Sequence, residues 1–270
     1  MKLALQTFSK FKKDLGLILR ENLFEIIIHG SYVLDDFRAN LGDIDFIVLT
    51  HTNLDAKTIK SLSSLHKKYR SEKALLLHQL EGTYYPKFFM ESPFHGLYIG
   101  TSRMKTINSL ENSFVDLRLV NQCGLKLLGT NCNIYNPTET DILIEQQSDS
   151  LTFRKTISQN NSLDIGFWLS LIHASARTLF YRANKVIGAK TEACQWCLKQ
   201  PELEAFYELF NYAKTLRFPY SEGVMQKHTK ISCVALLGIA DVWCNNKSLS
   251  NIETRGKNVK QSNNSKNNIS

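Results

Sequence analysis

His29-Gly30-Ser31 closes a short β-branched run, Phe24-Glu25-Ile26-Ile27-Ile28, and after eleven intervening residues comes Asp43-Ile44-Asp45-Phe46-Ile47-Val48-Leu49. The first run predicts a strand that hands over to a turn or helix at the glycine. The second predicts a strand with one polar end, because Ile44, Phe46 and Val48 alternate with Asp43 and Asp45. Residues i and i+2 of a strand share a face, roughly 6.6 Å apart at about 3.3 Å per residue. Two carboxylates so placed can chelate a hard divalent cation such as Mg²⁺ through oxygen. Gly30 lets the backbone approach a phosphate closely, and the N–H groups and the Ser31 hydroxyl can donate to it. A phosphate cradle beside metal-binding carboxylates points to nucleotidyl transfer.

Such chemistry wants a third group, to take the proton from an attacking hydroxyl or to complete the metal's ligands. A strand is predicted over residues 74–85, with Leu76, His78 and Leu80 on one face and Leu77, Gln79, Glu81 and Thr83 on the other. Glu81 ends that strand, where it can lie beside Asp43 and Asp45 as general base or third acidic ligand. His78 is on the opposite face from Glu81. It and His29 read as structural residues.

Composition limits the partners. The formal charge is +8, but the last stretch of chain carries Lys247, Arg255, Lys257, Lys260 and Lys266 against Glu253 alone. Half of the excess thus belongs to an Asn/Ser/Lys-rich segment without periodicity, expected to be disordered. What remains is no strong nucleic-acid footprint. Nothing approaches the roughly eighteen apolar residues of a membrane span, and Met1 to Gly16 lacks a secretory apolar core, so a cytoplasmic protein is expected. Its six cysteines are then reduced thiols. Cys194-Gln195-Trp196-Cys197 lacks the second close pair a zinc site needs and lies in a helical pattern, which reads as two small apolar helix residues.

The organisation changes near residue 150. Phe8, Phe11, Leu15, Ile18 and Leu19 mark an amphipathic first helix. Strand-like runs then alternate with a helix at 55–68, which Asp55 can cap, and with one at 116–123 ended by Gly124. After Ser150 the strand signals stop, and helices are predicted over 163–185, 191–199, 201–216 and 222–243. The last is apolar nearly all round from Cys233 to Trp243, which predicts burial in a bundle. The fold class is α+β: a mixed-sheet domain over 1–150, an all-helical domain over 151–246, and a tail over 247–270.

The Gly30-Ser31 and Asp43-x-Asp45 pair resembles the signature of the DNA polymerase beta-like nucleotidyltransferase superfamily. Its spacer here is one residue longer than the commonest form, and Gly42 stands where a serine often precedes the first aspartate. Arg177-Thr178-Leu179-Phe180-Tyr181, followed by Lys190-x-x-Ala193-x-x-Trp196, resembles the C-terminal domain of the aminoglycoside adenylyltransferases that modify streptomycin and spectinomycin. Leu80-Glu81-x-Thr83 resembles the strand carrying their catalytic glutamate, and 125–129 their short Leu-x-Gly segment. The motifs span most of residues 20–245.

The resemblance implies ATP with its triphosphate at Gly30 and Ser31, on Mg²⁺ held by Asp43 and Asp45. Glu81 would accept the proton of an acceptor hydroxyl, and pyrophosphate would leave. Lys190 would reach the leaving group, or else be a solvated helix lysine. Arg177 would contact phosphate or substrate, or serve as an interdomain ion-pair partner. Trp196, Tyr84 and Tyr85 could line the acceptor cleft, or be core. Glu192 is the acid left near the tryptophan, since Gln195 stands where that subgroup tends to be acidic. The implied acceptor is a small, aminoglycoside-like molecule. A protein or RNA acceptor, as in antitoxin-like members, and a catalytically weak nucleotide-binding protein are the alternatives.

Overall fold

The structure, a computed structural model, describes residues 2–37, 43–71, 80–89, 94–100, 103–110, 112–129, 134–160, 162–216 and 227–245. Gly42, residues 74–79 with His78, Cys132, the expected helix start at 222–226 and the tail over 247–270 lie outside them.

Helix α1 (Lys2–Leu19) leads through a 3-10 turn into strand β1 (Leu23–His29). A second 3-10 turn, Gly30–Tyr32, precedes β2 (Ile44–Thr50), followed by α2 (Ala56–Ser71), β3 (Leu80–Pro86), β4 (Gly96–Ile99), β5 (Met104–Ile107), α3 (Phe114–Cys123) and β6 (Leu125–Leu128). The strands form one mixed sheet in the order β5-β4-β3-β2-β1-β6. Among the described residues only β2 and β3 pair in parallel. That pair needs a crossover, which α2 supplies. Asp55 begins α2 as expected, its Oδ1 accepting from Thr58 N–H at 2.7 Å.

Strand periodicity divides the core. Ile26, Ile28, Phe46, Val48, Leu80 and Tyr84 point to one face and pack with Phe8, Phe11 and Leu15 of α1. Ile27, Ile47, Leu49 and Tyr85 point to the other and pack with Leu117 and Val120 of α3. Tyr84 and Tyr85 are thus core residues on opposite faces, not cleft walls, each packed into one of the two clusters that flank the sheet.

The helical region comprises α4 (Glu139–Gln159), α5 (Ile165–Asn184), α6 (Lys190–Cys197), a 3-10 segment Pro201–Phe206, α7 (Tyr207–Thr215) and α8 (Lys227–Asn245). Thr138 and Asp141 form a capping box that starts α4, and residue 150 lies midway along this helix. Cys194 and Cys197 are fully buried in the helical core. Helix α8 buries only Cys233, Leu236, Leu237, Ala240 and Cys244, while Ile231 is 62% and Val242 54% exposed. It packs against α4 and α5 on one side, so its apolar run is not buried all round as composition suggested.

The helices dock on α3. Leu119, Ile142, Tyr181 and Ile187 make a shared cluster. The Gln122 amide adds two bonds, donating to Ile187 O and accepting from Ile187 N–H, both at 3.0 Å. Among the described residues no helix is long and apolar enough to cross a membrane.

Candidate active site

Strand register builds the site. His29 of β1 lies opposite Asp45 of β2, and Asp45 opposite Glu81 of β3. The three form a row across the sheet on the face that α3 covers. Asp43, two residues before Asp45, joins it from the entry to β2. Asp43, Asp45 and Glu81 each offer a carboxylate oxygen, and these lie within 4.8 Å of one another. Burial raises the pKa of Asp43, and Glu81 adds to this while Lys190 opposes it. Burial also holds Asp45 well above the usual carboxylate range, reinforced by Asp43, Asp116 and Glu81. Three acids crowded in low dielectric oppose one another's ionisation, and a divalent cation relieves that. The donor set, all carboxylate oxygen, fits Mg²⁺.

Gly30 adopts φ +71°, and a Cβ there would lie 2.2 Å from Asp45 Oδ2. Only glycine serves at a positive φ against so close a neighbour. Ser31 Oγ is buried without a hydrogen-bond partner. Such a hydroxyl beside a cluster of carboxylates that could hold a cation fits a phosphate oxygen.

Glu81 is held by Tyr98 of β4, whose hydroxyl donates to Oε2 at 2.7 Å. Burial, then this bond, keeps that phenol protonated. A cleft of about 880 Å³ opens here, with His29, Asp45, Glu81, Thr83, Tyr98 and Asp116 among its walls. His29 is nearly fully buried, and burial lowers its pKa although Asp116 and Asp43 pull the other way. Burial thus favours its neutral form, with Nδ1 3.8 Å from Asp116 Oδ1.

Asp116 is the residue that sequence reasoning missed, marked there only as a helix start. From the first turn of α3 it faces this cleft and also a second, of about 810 Å³, between α3, α4, α5 and α8. The second cleft is lined by Glu145, Asp149, Asp241 and Arg177 as well. Asp241 is bound to Arg154, which donates from Nε at 3.0 Å. Glu145 accepts from Val115 N–H at 2.9 Å, yet burial and then Asp116 push its carboxyl up to about 8. Burial lowers the pKa of Arg177, opposed by Asp116, Glu145, Asp45 and Asp149. Its Nε has no hydrogen-bond partner, and neither do Ser150 Oγ and Ser175 Oγ on the same walls.

Lys190 and Arg177 are thus brought to the carboxylates, Lys190 acting on both Asp43 and Asp45. Trp196 and Glu192 are not. Trp196 packs edge-on against Phe180 and Trp243 in the helical core. Its position in α6 turns it to α5, so it walls neither cleft. Glu192 accepts from Ala189 N–H at 3.2 Å, closing the first turn of α6. The acids near Arg177 stand on α3, α4 and α8, not beside the tryptophan.

The fold is similar to that of a solved spectinomycin adenyltransferase, AAD(9), from Enterococcus faecialis, crystallised with ATP and spectinomycin. The TM-score is 0.69 at 14% identity, over 90% of this chain and 99% of that one. At that identity the likeness is one of fold: a mixed sheet followed by helices. A toxin–antitoxin structure with AMP-PNP matches 55% of this chain and 91% of its own at 20% identity, with a TM-score of 0.26. No protein-family model matches the sequence, and no curated protein does.

Proposed function

We propose that this protein is a cytoplasmic, Mg²⁺-dependent nucleotidyltransferase that moves AMP from ATP to a hydroxyl of a small, amine-bearing acceptor of the aminoglycoside kind, releasing pyrophosphate. The observation that carries the reading is the convergence of Asp43, Asp45 and Glu81 within 4.8 Å, beside a glycine whose Cβ position Asp45 occupies. Asp43 and Asp45 would hold Mg²⁺, which supplies charge neutralisation on the transferring phosphate when bound. Ser31 Oγ and the amides around Gly30 would donate to phosphate oxygens. Glu81, oriented by Tyr98, would take the proton of the attacking hydroxyl. Lys190 would add positive charge for the departing pyrophosphate, since electrostatics dominates phosphoryl transfer.

The acceptor would lie in the cleft between α3, α4, α5 and α8, with Asp116 facing both it and the carboxylate row. Asp116 and Asp149 suit an ammonium group, and the buried hydroxyls of Ser150 and Ser175 suit a polyol. Arg177 would balance the acids there rather than bind phosphate directly. In this reading the sheet, with Lys190 of α6, does the transfer chemistry, and the cleft between α3, α4, α5 and α8 selects the acceptor.

The test is Mg²⁺-dependent pyrophosphate release from ATP with a panel of aminoglycosides and spectinomycin, beside an Asp45→Ala control. Release that depends on one acceptor and is lost in the control supports the reading. ATP binding without release by any panel member overturns the antibiotic acceptor and moves a protein or RNA acceptor to first place.

A further inference from the structure

The residue that starts α6 is Ala189, which has no side-chain acceptor to cap the helix. The cap comes from 155 residues upstream. Asp36 Oδ1 accepts from Thr191 Oγ1 at 2.7 Å, and Oδ2 from Thr191 N–H at 3.2 Å. Asp36 belongs to the loop that follows the Gly30–Tyr32 turn, and its own N–H donates to Ser31 O at 3.0 Å. Asp35, just before it, takes the left-handed conformation at φ +54°. A short polar residue tolerates that better than most, and it turns the loop sharply. Ser31, Asp36, Thr191 and Lys190 are therefore joined in one chain of bonds, from the turn beside the carboxylates to the lysine whose charge acts on them.

We infer that Asp36 and Thr191 are positioning residues, a clasp that fixes Lys190 relative to the Ser31 turn so that both meet the same polyphosphate. The inference rests on the nucleotide reading above. Its physical basis is preorganisation: a lysine has a long, flexible stem, and the clasp fixes its Cα before ligand arrives. Without the clasp, part of the binding free energy goes into ordering the start of α6. The clasp also ties the helical half to the nucleotide turn, so a polyphosphate bound there draws α6 toward it.

Equilibrium binding of ATP with Mg²⁺ tests this without needing an acceptor. Thr191→Val removes the hydroxyl bond but leaves the backbone bond that caps the helix, so the fold is kept. It should weaken ATP binding about tenfold, the scale of one hydroxyl bond to a carboxylate. Thr191→Ser should restore wild-type affinity. In a Lys190→Ala background the same Thr191→Val change should matter less than about twofold, because the clasp acts through that lysine. Affinity unchanged in Thr191→Val, or an undiminished tenfold loss in the Lys190→Ala background, overturns the inference. A wild-type chain that binds no ATP overturns the nucleotide reading and the clasp's role with it.

Discussion

Asp45 occupies the space that a side chain on residue 30 would need: its Oδ2 lies 2.2 Å from the position of a Cβ on Gly30. The turn and strand β2 are therefore fitted to each other atom by atom. Gly30→Ala must either displace the Asp45 carboxylate or open the turn, and it also strains a positive φ. We expect a loss of at least about 100-fold in pyrophosphate release. The change in unfolding free energy should be about 1–3 kcal/mol, leaving a folded protein. Steady-state kinetics with denaturant titration measures both.

The crowding of Asp43, Asp45 and Glu81 predicts opposite effects of one substitution on stability and function. Asp45→Asn removes a carboxyl whose ionisation is opposed by burial and then by Asp43, Asp116 and Glu81, so the metal-free variant should be more stable than the metal-free wild type by about 1 kcal/mol. Mg²⁺ should raise the unfolding temperature of the wild type and leave the variant unchanged. Calorimetry with and without a chelator reads this. A wild type indifferent to Mg²⁺ would count against a metal site.

Glu81→Gln should separate binding from chemistry. The amide keeps an oxygen for the Tyr98 hydroxyl but cannot take a proton. Loss of a general base lowers turnover by about 10²–10⁴-fold. ATP affinity should stay within about threefold, since Asp43, Asp45 and the Ser31 turn remain. An equal loss in affinity would make Glu81 a metal ligand instead.

The acid limit of stability should follow His66, which stacks on Phe46 in the sheet core. Its Nδ1–H donates to Leu80 O at 3.2 Å, and its Nε2 accepts from the Tyr84 hydroxyl at 2.7 Å. Burial lowers its pKa from 6.5 to about 4. The unfolded chain therefore takes up this proton first as pH falls. The contribution of His66 is full above pH 6.5 and is lost between 6.5 and 4, by about 3 kcal/mol. Urea titrations across that window should show the slope in the wild type and its loss in His66→Gln.

Glu145 predicts the alkaline counterpart. Its folded-state pKa of about 8 lies above the ordinary 4.5, so the unfolded chain ionises first as pH rises. Its contribution is full below pH 4.5 and lost as pH climbs through 8. Glu145→Gln keeps an acceptor for Val115 N–H and cannot ionise. It should be more stable than the wild type above pH 8 and should flatten the pH profile, as thermal melts at graded pH would show.

The strand-turn-strand frame was readable because it is local. Period-two alternation put Asp43 and Asp45 on one face and Glu81 opposite the apolar side of its own strand, and one buried face leaves a strand little freedom of register. The amphipathic stripe of α1, the Asp55 cap and the sheet-to-helix change followed from the same short-range rules. Spacing alone could not say that β2 and β3 run parallel in a register that sets Asp45 against Glu81, but once it formed, the carboxylates had to meet.

What only the tertiary structure decided are contacts between residues far apart in the chain. Asp116 carries no local signal: it is an acid in a first helical turn until docking of α3 aims it at both clefts. Trp196 sits in a motif that suggested a substrate wall, yet the packing of α6 on α5 turns it to Phe180 and Trp243. Asp36 and Thr191 look like ordinary loop and helix residues until 155 positions of chain are folded away between them. Sequence alone determined the periodicities, the turn glycine and the paired strand acids, because backbone geometry acts over a few residues. Which side chains share a cleft depends on how helices pack onto the sheet, and that is a property of surfaces brought together from distant parts of the chain.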